Sequence, residues 1–356
     1  MYYAVGGGLT AEDIERPGVR RAVREIERSI VHYGDTAGDF LDQMGRYGPD
    51  YAHAVAVQET SLVQFNADAR GTKLVAIYPA EGTFVADYPL IVLRAPWVDD
   101  AERAGGEFFN EWLAPRITPE LAATYAYRAP GAHQIPAPVD RAHGADPAQP
   151  EAVVQAPAPD VLAAVQQNWN EDRKPANVML VVDTSGSMGQ GARLARAQVA
   201  LEAFLDELRA EDRVGLVTFG SEVFQTIGVA PLGENETMLR ETIRDLIPSG
   251  RSALYDAVRE AFSSIRALED DTRINAVVIL ADGDDDASLS TLAEVEREIS
   301  RACGPEQTAV PIVTVAYGGG AVRRALERIA EACQGRALSA EPANIDEVFR
   351  TLALLF

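Results

Sequence analysis

The stretch "LVVDTSGSMG" (residues 180–189) ends an apolar run in an acid and then spaces hydroxyls and glycines behind it. The run 178–182 is continuous rather than alternating, the pattern of a strand buried on both faces. Outward from it, strand-like and helix-like segments take turns. Residues 194–208 carry apolar positions at helical spacing, 214–219 read as a strand, and 223–232 as a weaker strand at a sheet edge. Helices are expected over 237–246 and 254–268, then a buried strand over 275–280 and a helix over 292–302. A strand at 310–317, a helix at 322–332, a short strand at 337–340 and a closing helix at 345–354 complete the pattern. Such alternation predicts an α/β fold, a Rossmann-like, doubly wound, mainly parallel sheet with helices on both faces. Ligands of such sheets sit beyond the carboxyl ends of the strands, where Asp183, Ser185 and Ser187 fall.

Four chemistries suit an acid and hydroxyls at a strand end. A nucleophile elbow needs Gly two residues before its Ser, which "SGSMG" lacks, and the triad's His is missing from residues 159–356. A phospho-accepting Asp183 would want a second Asp where Ser185 stands, and a nearby Lys; the chain's lysines are Lys73 and Lys174. The glycines of "GSMGQG" miss the dinucleotide spacing. A divalent cation fits best: Mg²⁺ takes about six oxygens, and Asp183, Ser185 and Ser187 can turn theirs to one point, with Gly186 permitting the turn. Further oxygens are expected from Ser252 in "SGRSALYDA" and Asp282 in "VVILADGDDD". The plainer alternative is a turn whose hydroxyls only cap it.

Those three separated pieces, in this order, resemble the metal-ion-dependent adhesion site of the von Willebrand factor type A domain. The resemblance covers roughly residues 160–356. It implies that Ser185 and Ser187 ligate the metal directly, and that Asp183 and Asp282 act mostly through water. It also implies that Ser252 stands where the family usually has Thr, and Ala281 where it has another. The cofactor implied is Mg²⁺, with Mn²⁺ or Ca²⁺ as substitutes, and the partner is a protein offering an acidic side chain. Substituting Ser for Thr keeps the oxygen and loses the methyl that stiffens χ1, so binding is expected to survive, at some cost in strength. Asp284, Asp285 and Asp286 read as a solvated charged loop.

The Pro- and Ala-rich residues 129–158 read as an extended linker after a mixed α/β domain at 1–128, with the von Willebrand-like domain at 159–356. In the first part, a Thr10-x-x-Asp13 capping box opens a helix with Val23, Ile26 and Ile30 on one side. "KLVAIYPAEG" and "YPLIVLRAPW" read as strands, "AHAVAVQETSLVQFN" as strand then helix, and "DDAERAGGEFFNEWL" as a helix. The stretches "RYGPDYAHAVAVQET", "YPAEGT", "DYP" and "GADPAQP" resemble part of one lobe of a bacterial extracellular solute-binding protein. That implies a small solute as an alternative ligand and an extracellular or cell-envelope location. The chain is then expected to begin partway through such a lobe, at "MYYAVGGGLT". "HYGDTAG" and "VQETS" each precede a helix, where either a plain cap or a bound anion is consistent.

Composition sets outer bounds. A net charge of −22 argues against nucleic acid, which needs Lys and Arg to replace counterions. No Gly-Lys-Ser/Thr occurs, so a P-loop is excluded. No apolar run reaches membrane-spanning length, and no signal peptide is visible at Met1. The four histidines share no ligand spacing, the two cysteines fit no zinc pattern, and spacing alone leaves open whether Cys303 and Cys333 pair. No base–nucleophile pair points to an enzyme.

Overall fold

The computed structural model describes residues 10–34, 36–132, 134–303, 310–317 and 322–356. The opening "MYYAVGGGL", Asp35 and His133 lie outside them. The chain divides into two compact units: Met1–Val23 with Thr36–Glu171, and Arg24–Asp35 with Asp172–Phe356.

The first unit is helical. Helix α1 (Ala11–Glu15) opens with the expected capping box, the Thr10 hydroxyl accepting from the Asp13 amide at 3.2 Å. It stops at Arg16, because Pro17 cannot continue the ladder and instead begins α2 (Pro17–Glu27). Val19 and Val23 pack with Ile14 and with Val161 of a later helix. The expected face differs: Ile26 is 40% exposed, and the next inward position after Val23 is Glu27, four residues on. Then follow α3 (Ala37–Tyr47), α4 (Glu59–Ala67), α5 (Asp100–Leu113), α6 (Pro119–Thr124) and α7 (Pro159–Asp172). Leu62 and Val63 of α4 pack with Ala126, Val139 and Ala145, so the Pro- and Ala-rich stretch contributes core residues.

The strands expected at "KLVAIYPAEG" and "YPLIVLRAPW" do not form ladders. Among the described residues, the first unit has one isolated bridge, Thr83 to Val153. The sequence has strand-like character: Leu74 and Ala76 pack inward, while Val75 and Ile77 between them point out, Ile77 83% exposed. A two-faced apolar strand needs cover on both sides and a strand beside it; here the Leu74 and Ala76 amides donate instead to Asn66 Oδ1 at 2.9 Å and the Gly144 carbonyl at 2.8 Å, and one side stays open. The described residues of the first unit thus give the expected lobe of the solute-binding type no support from a strand ladder.

The second unit carries the predicted α/β architecture. Its strands are β1 (Ala176–Asp183), β2 (Arg213–Phe219), β3 (Val223–Pro231), β4 (Ile274–Ala281), β5 (Ile312–Tyr317) and β6 (Arg336–Ala340). Its helices are α8 (Arg193–Glu207), α9 (Leu232–Arg244), α10 (Leu254–Arg266), α11 (Leu292–Ala302), α12 (Val322–Glu331) and α13 (Ile345–Ala353). They build one six-stranded sheet in the order β3-β2-β1-β4-β5-β6, parallel except where β3 runs antiparallel at the edge. All eight residues of β1 are buried. Its pleat sends Val178, Leu180 and Val182 to one face, against Leu201 and Phe204 of α8 and Phe349 of α13. Met179 and Val181 go to the other face, against Leu254 and Val258 of α10. The chain leaves β1 towards β2 on one side, and returns as β4 on the other. The carboxyl ends of β1 and β4 therefore flank the switch point, where such sheets bind ligands. Among the described residues, no helix is long and apolar enough to cross a membrane.

Cys303, at the end of α11, and Cys333, just past α12, form a disulfide, with Cα atoms 5.4 Å apart. A loop of 30 residues closed this way should contribute roughly 3–4 kcal/mol through the unfolded chain. The Cys303→Ser/Cys333→Ser protein should lose that amount in denaturant unfolding; a loss under about 1 kcal/mol would show the bridge adds little.

Glu27 titrates against the fold. Its carboxylate is buried, takes the Tyr33 hydroxyl at 2.7 Å on one oxygen and has no partner on the other. Burial, reinforced by the nearby Asp172 carboxylate, raises its pKa above the ordinary value. The contribution to stability is therefore fully present below about pH 4.3 and is lost as pH rises through the raised folded value. Unfolding free energy measured from pH 4 to 7 should include this decline, and Glu27→Gln should remove it; identical pH slopes would contradict the assignment.

Candidate metal centre

The end of β1 is a buried acid that must find hydrogen bonds where the ladder stops. Asp183 is fully buried, and its Oδ1 accepts the Ser185 amide at 2.7 Å. Among the described hydrogen bonds its Oδ2 accepts one, long at 3.5 Å, from the Ser252 hydroxyl, and the Ser185 hydroxyl and the Asp282 amide also act on the carboxylate. Burial pushes its pKa up to about 6, against the opposing pull of the Ser185 hydrogen bonds. Ser185 Oγ lies 3.0 Å from Ser187 Oγ, and Ser187 donates to Asp282 Oδ1 at 2.6 Å. The structure thus joins all five sequence-selected residues, Asp183, Ser185, Ser187, Ser252 and Asp282, into one hydrogen-bonded set.

Gly186 permits the turn through close backbone approach. Gly186 does not take a left-handed conformation; its amide donates to the Gly250 carbonyl at 3.0 Å, and its lack of a side chain permits that approach. The left-handed residues are Gly191 and Ala192, which turn the chain into α8, and Gly250, which precedes Ser252. A Cβ on Gly250 would collide with Ser221 Oγ. The Ser249 amide, donating to the Thr184 carbonyl at 2.7 Å, locks the same two loops together. Ala281 faces the core between the sheet and α10.

Two features were not selected from sequence. Arg193, the first residue of α8, places Nη1 2.7 Å from Asp282 Oδ2. The signal was available: acids are favoured in a helix's first turn, and α8 has none there but begins with Arg. The second is the loop after β4. Of its three consecutive acids only Asp284 stands exposed without a hydrogen bond among the described contacts. Asp285 accepts from the Tyr255 amide at 3.0 Å, and Asp286 from the Ser252 amide at 2.8 Å, so both serve the amino end of α10. That bond to Ser252 holds Asp286 below the usual carboxylate range. Asp256 answers from α10 by accepting the amides of Leu289 and Ser290 at 2.8 and 3.1 Å.

Elsewhere the candidates are accounted for locally. Thr36 of "HYGDTAG" caps α3 through the Asp39 amide. Glu59 of "VQETS" is held by Arg128 through two bonds, 2.6 and 2.7 Å, and also takes the Tyr78 hydroxyl. Arg128 further donates to the carbonyls of Asp146, Pro147 and Gln149. His143 contacts Asp140. Among the described residues, no three or more His, Cys, Asp or Glu side chains group as a metal cluster; the candidate set has two carboxylates and relies on hydroxyls.

Residues 178–284 match the family model of the von Willebrand factor type A domain. The second unit has the α/β fold of that type. Inter-alpha-trypsin inhibitor heavy chain H2 of Mesocricetus auratus is 26% identical over 140 residues, covering 37% of this chain and 15% of that protein. Calcium-activated chloride channel regulator 3A-1 of Mus musculus is 30% identical over 124 residues, 34% of this chain and 14% of that one. The chain thus spans about 15% of the length of the curated relatives it matches. Among solved structures, a von Willebrand factor type A protein from Catenulispora acidiphila aligns with a TM-score of 0.44 at 20% identity, over 51% of this chain and 42% of that one.

Removing Asp256 leaves two amides without their acceptor. Asp256→Ala should cost about 1–3 kcal/mol and speed hydrogen exchange at Leu289 and Ser290. Asp284→Asn, on the same loop, should stay within about 0.5 kcal/mol of the parent. Equal effects of the two would show that the loop is not stapled through Asp256.

Proposed function

We propose that the second unit is a non-catalytic, cation-dependent protein-binding module. Asp183, Ser185, Ser187, Ser252 and Asp282 would hold Mg²⁺, with Mn²⁺ or Ca²⁺ as substitutes, and the partner would present a carboxylate. One observation carries this reading: acids from the ends of two adjacent strands are joined through the Ser185 amide and the paired Ser185 and Ser187 hydroxyls, while the described hydrogen bond to Asp183 Oδ2 is long, 3.5 Å. The donor set fits a hard ion, because every group is oxygen and two carboxylates leave room for water and a further ligand. A cation held there would supply a local positive charge to a carboxylate. Hydroxyls contribute no charge of their own, so the residues leave that attraction largely undiminished.

Protein partners, rather than a solute, are favoured. Glu59 and Arg128 satisfy each other, and the anticipated strands of the first unit are unpaired, so the solute-receptor reading has no support there. An extracellular or cell-envelope setting suits the disulfide, which persists under oxidising conditions.

Millimolar Mg²⁺ or Mn²⁺ at about 100 times its Kd should raise the melting midpoint by roughly 5–10 °C. Asp183→Ala should abolish that rise, and Ser252→Thr should keep or increase it. A rise unchanged in Asp183→Ala would place the cation elsewhere.

A further inference from the structure

Asp183 and Asp282 are not equivalent. Asp282 has no exposed side-chain surface, and both of its oxygens are engaged, Oδ1 by Ser187 and Oδ2 by Arg193. Its charge is balanced inside the protein. Among the described residues Asp183 has no basic partner; the groups that bond it are neutral, the Ser185 amide and hydroxyl, the Asp282 amide and, at 3.5 Å, the Ser252 hydroxyl. Arg193 is fixed from its own backbone: the Tyr317 hydroxyl donates to its carbonyl at 3.2 Å, and left-handed Ala192 sets its direction. Its guanidinium lies at the positive end of α8, where a cation is disfavoured, so its position there depends on Asp282.

We infer that Arg193 sets the charge of the cation site, weakening its hold on the metal and strengthening capture of the partner's carboxylate. The inference rests on the cation reading above. Asp183 and Asp282 together carry two negative charges and Arg193 returns one positive, so the enclosing residues sum to one negative charge. A divalent ion among them keeps a net positive charge. Without Arg193 the enclosing residues would sum to two negative charges, a divalent ion would bring the site to neutral, the ion would be held more tightly, and an incoming carboxylate would be attracted less. Arg193 is thus a specificity-determining residue that touches neither the cation nor the partner.

The test compares the parent protein with the neutral variants Arg193→Gln and Arg193→Met and the charge-retaining Arg193→Lys. Free Mn²⁺ is measured by electron paramagnetic resonance, and acetate binding to the Mn²⁺-loaded protein by paramagnetic relaxation of the acetate methyl protons. Because Arg193 is partly exposed, a water-like dielectric applies, and the neutral variants should bind Mn²⁺ roughly tenfold more tightly. They should also bind acetate several-fold more weakly, while Arg193→Lys follows the parent on both readouts. Neutral variants that stay folded but bind Mn²⁺ equally or more weakly would overturn the inference, assigning Arg193 to the orientation of Asp282. A parent protein that binds no Mn²⁺ would overturn the cation reading itself and the inference with it.

Discussion

A carboxylate at the end of a strand buried on both faces has to be solvated by whatever follows the strand. Asp183 is in that position. Seven buried residues precede it in β1, helices cover both faces of the sheet, and water does not reach it. Its nearest donor is an amide two residues ahead, so the chain must turn back at once. The turn brings Ser185 and Ser187 into line and sends the Gly186 amide across to the Gly250 carbonyl. One buried charge thereby dictates two loops, and the second of them delivers Ser252. The described hydrogen bond to the other oxygen of Asp183 is long, and a cation would serve that oxygen more closely.

Sheet order decides which other acid can join. β4 lies directly beside β1, with Val182 opposite Leu280 in register, so Asp282 emerges one step beyond the point where Asp183 does. Residues roughly a hundred apart in sequence become neighbours because the chain covers one side of β1 with β2 and β3 before crossing to the other. The loop after β4 then closes over the amino end of α10, where Asp285, Asp286 and Asp256 exchange bonds with backbone amides. These acids keep the site's walls in place without entering it.

Much of this was legible in the sequence. Continuous apolar runs at 178–182 and 275–280 could only be two-faced strands, and the strand–helix alternation fixed the sheet type. Asp183, Ser185, Ser187 and Asp282 stood out because they follow the ends of recognisable strands, while Ser252 came from "SGRSALYDA" and the resemblance grouped the five. Strand partners, by contrast, are set by long-range pairing. "KLVAIYPAEG" has the composition of a two-faced strand, yet Val75 and Ile77 face outward with no ladder beside them. Glu27 was missed for a related reason: helical period marks a stripe, but not which edge of the stripe turns inward. Asp285 and Asp286 were read as solvent-facing because a run of like charges usually is, and nothing local shows that a helix start lies above them.

Arg193 shows where local rules fail informatively. Helix starts favour acids, and α8 begins with a base. A residue that contradicts its local preference must be compensated elsewhere, and here the compensation is Asp282, 89 residues away. The pairing also explains how two carboxylates can lie so close without either being displaced: each is screened in a different way, Asp282 by a guanidinium and Asp183 by an amide and hydroxyls. Of the two, only the acid screened by neutral groups retains an unbalanced charge. The asymmetry therefore follows from β1 ending against a neutral turn and β4 ending against the first turn of α8, and it would persist whatever ligand the site takes.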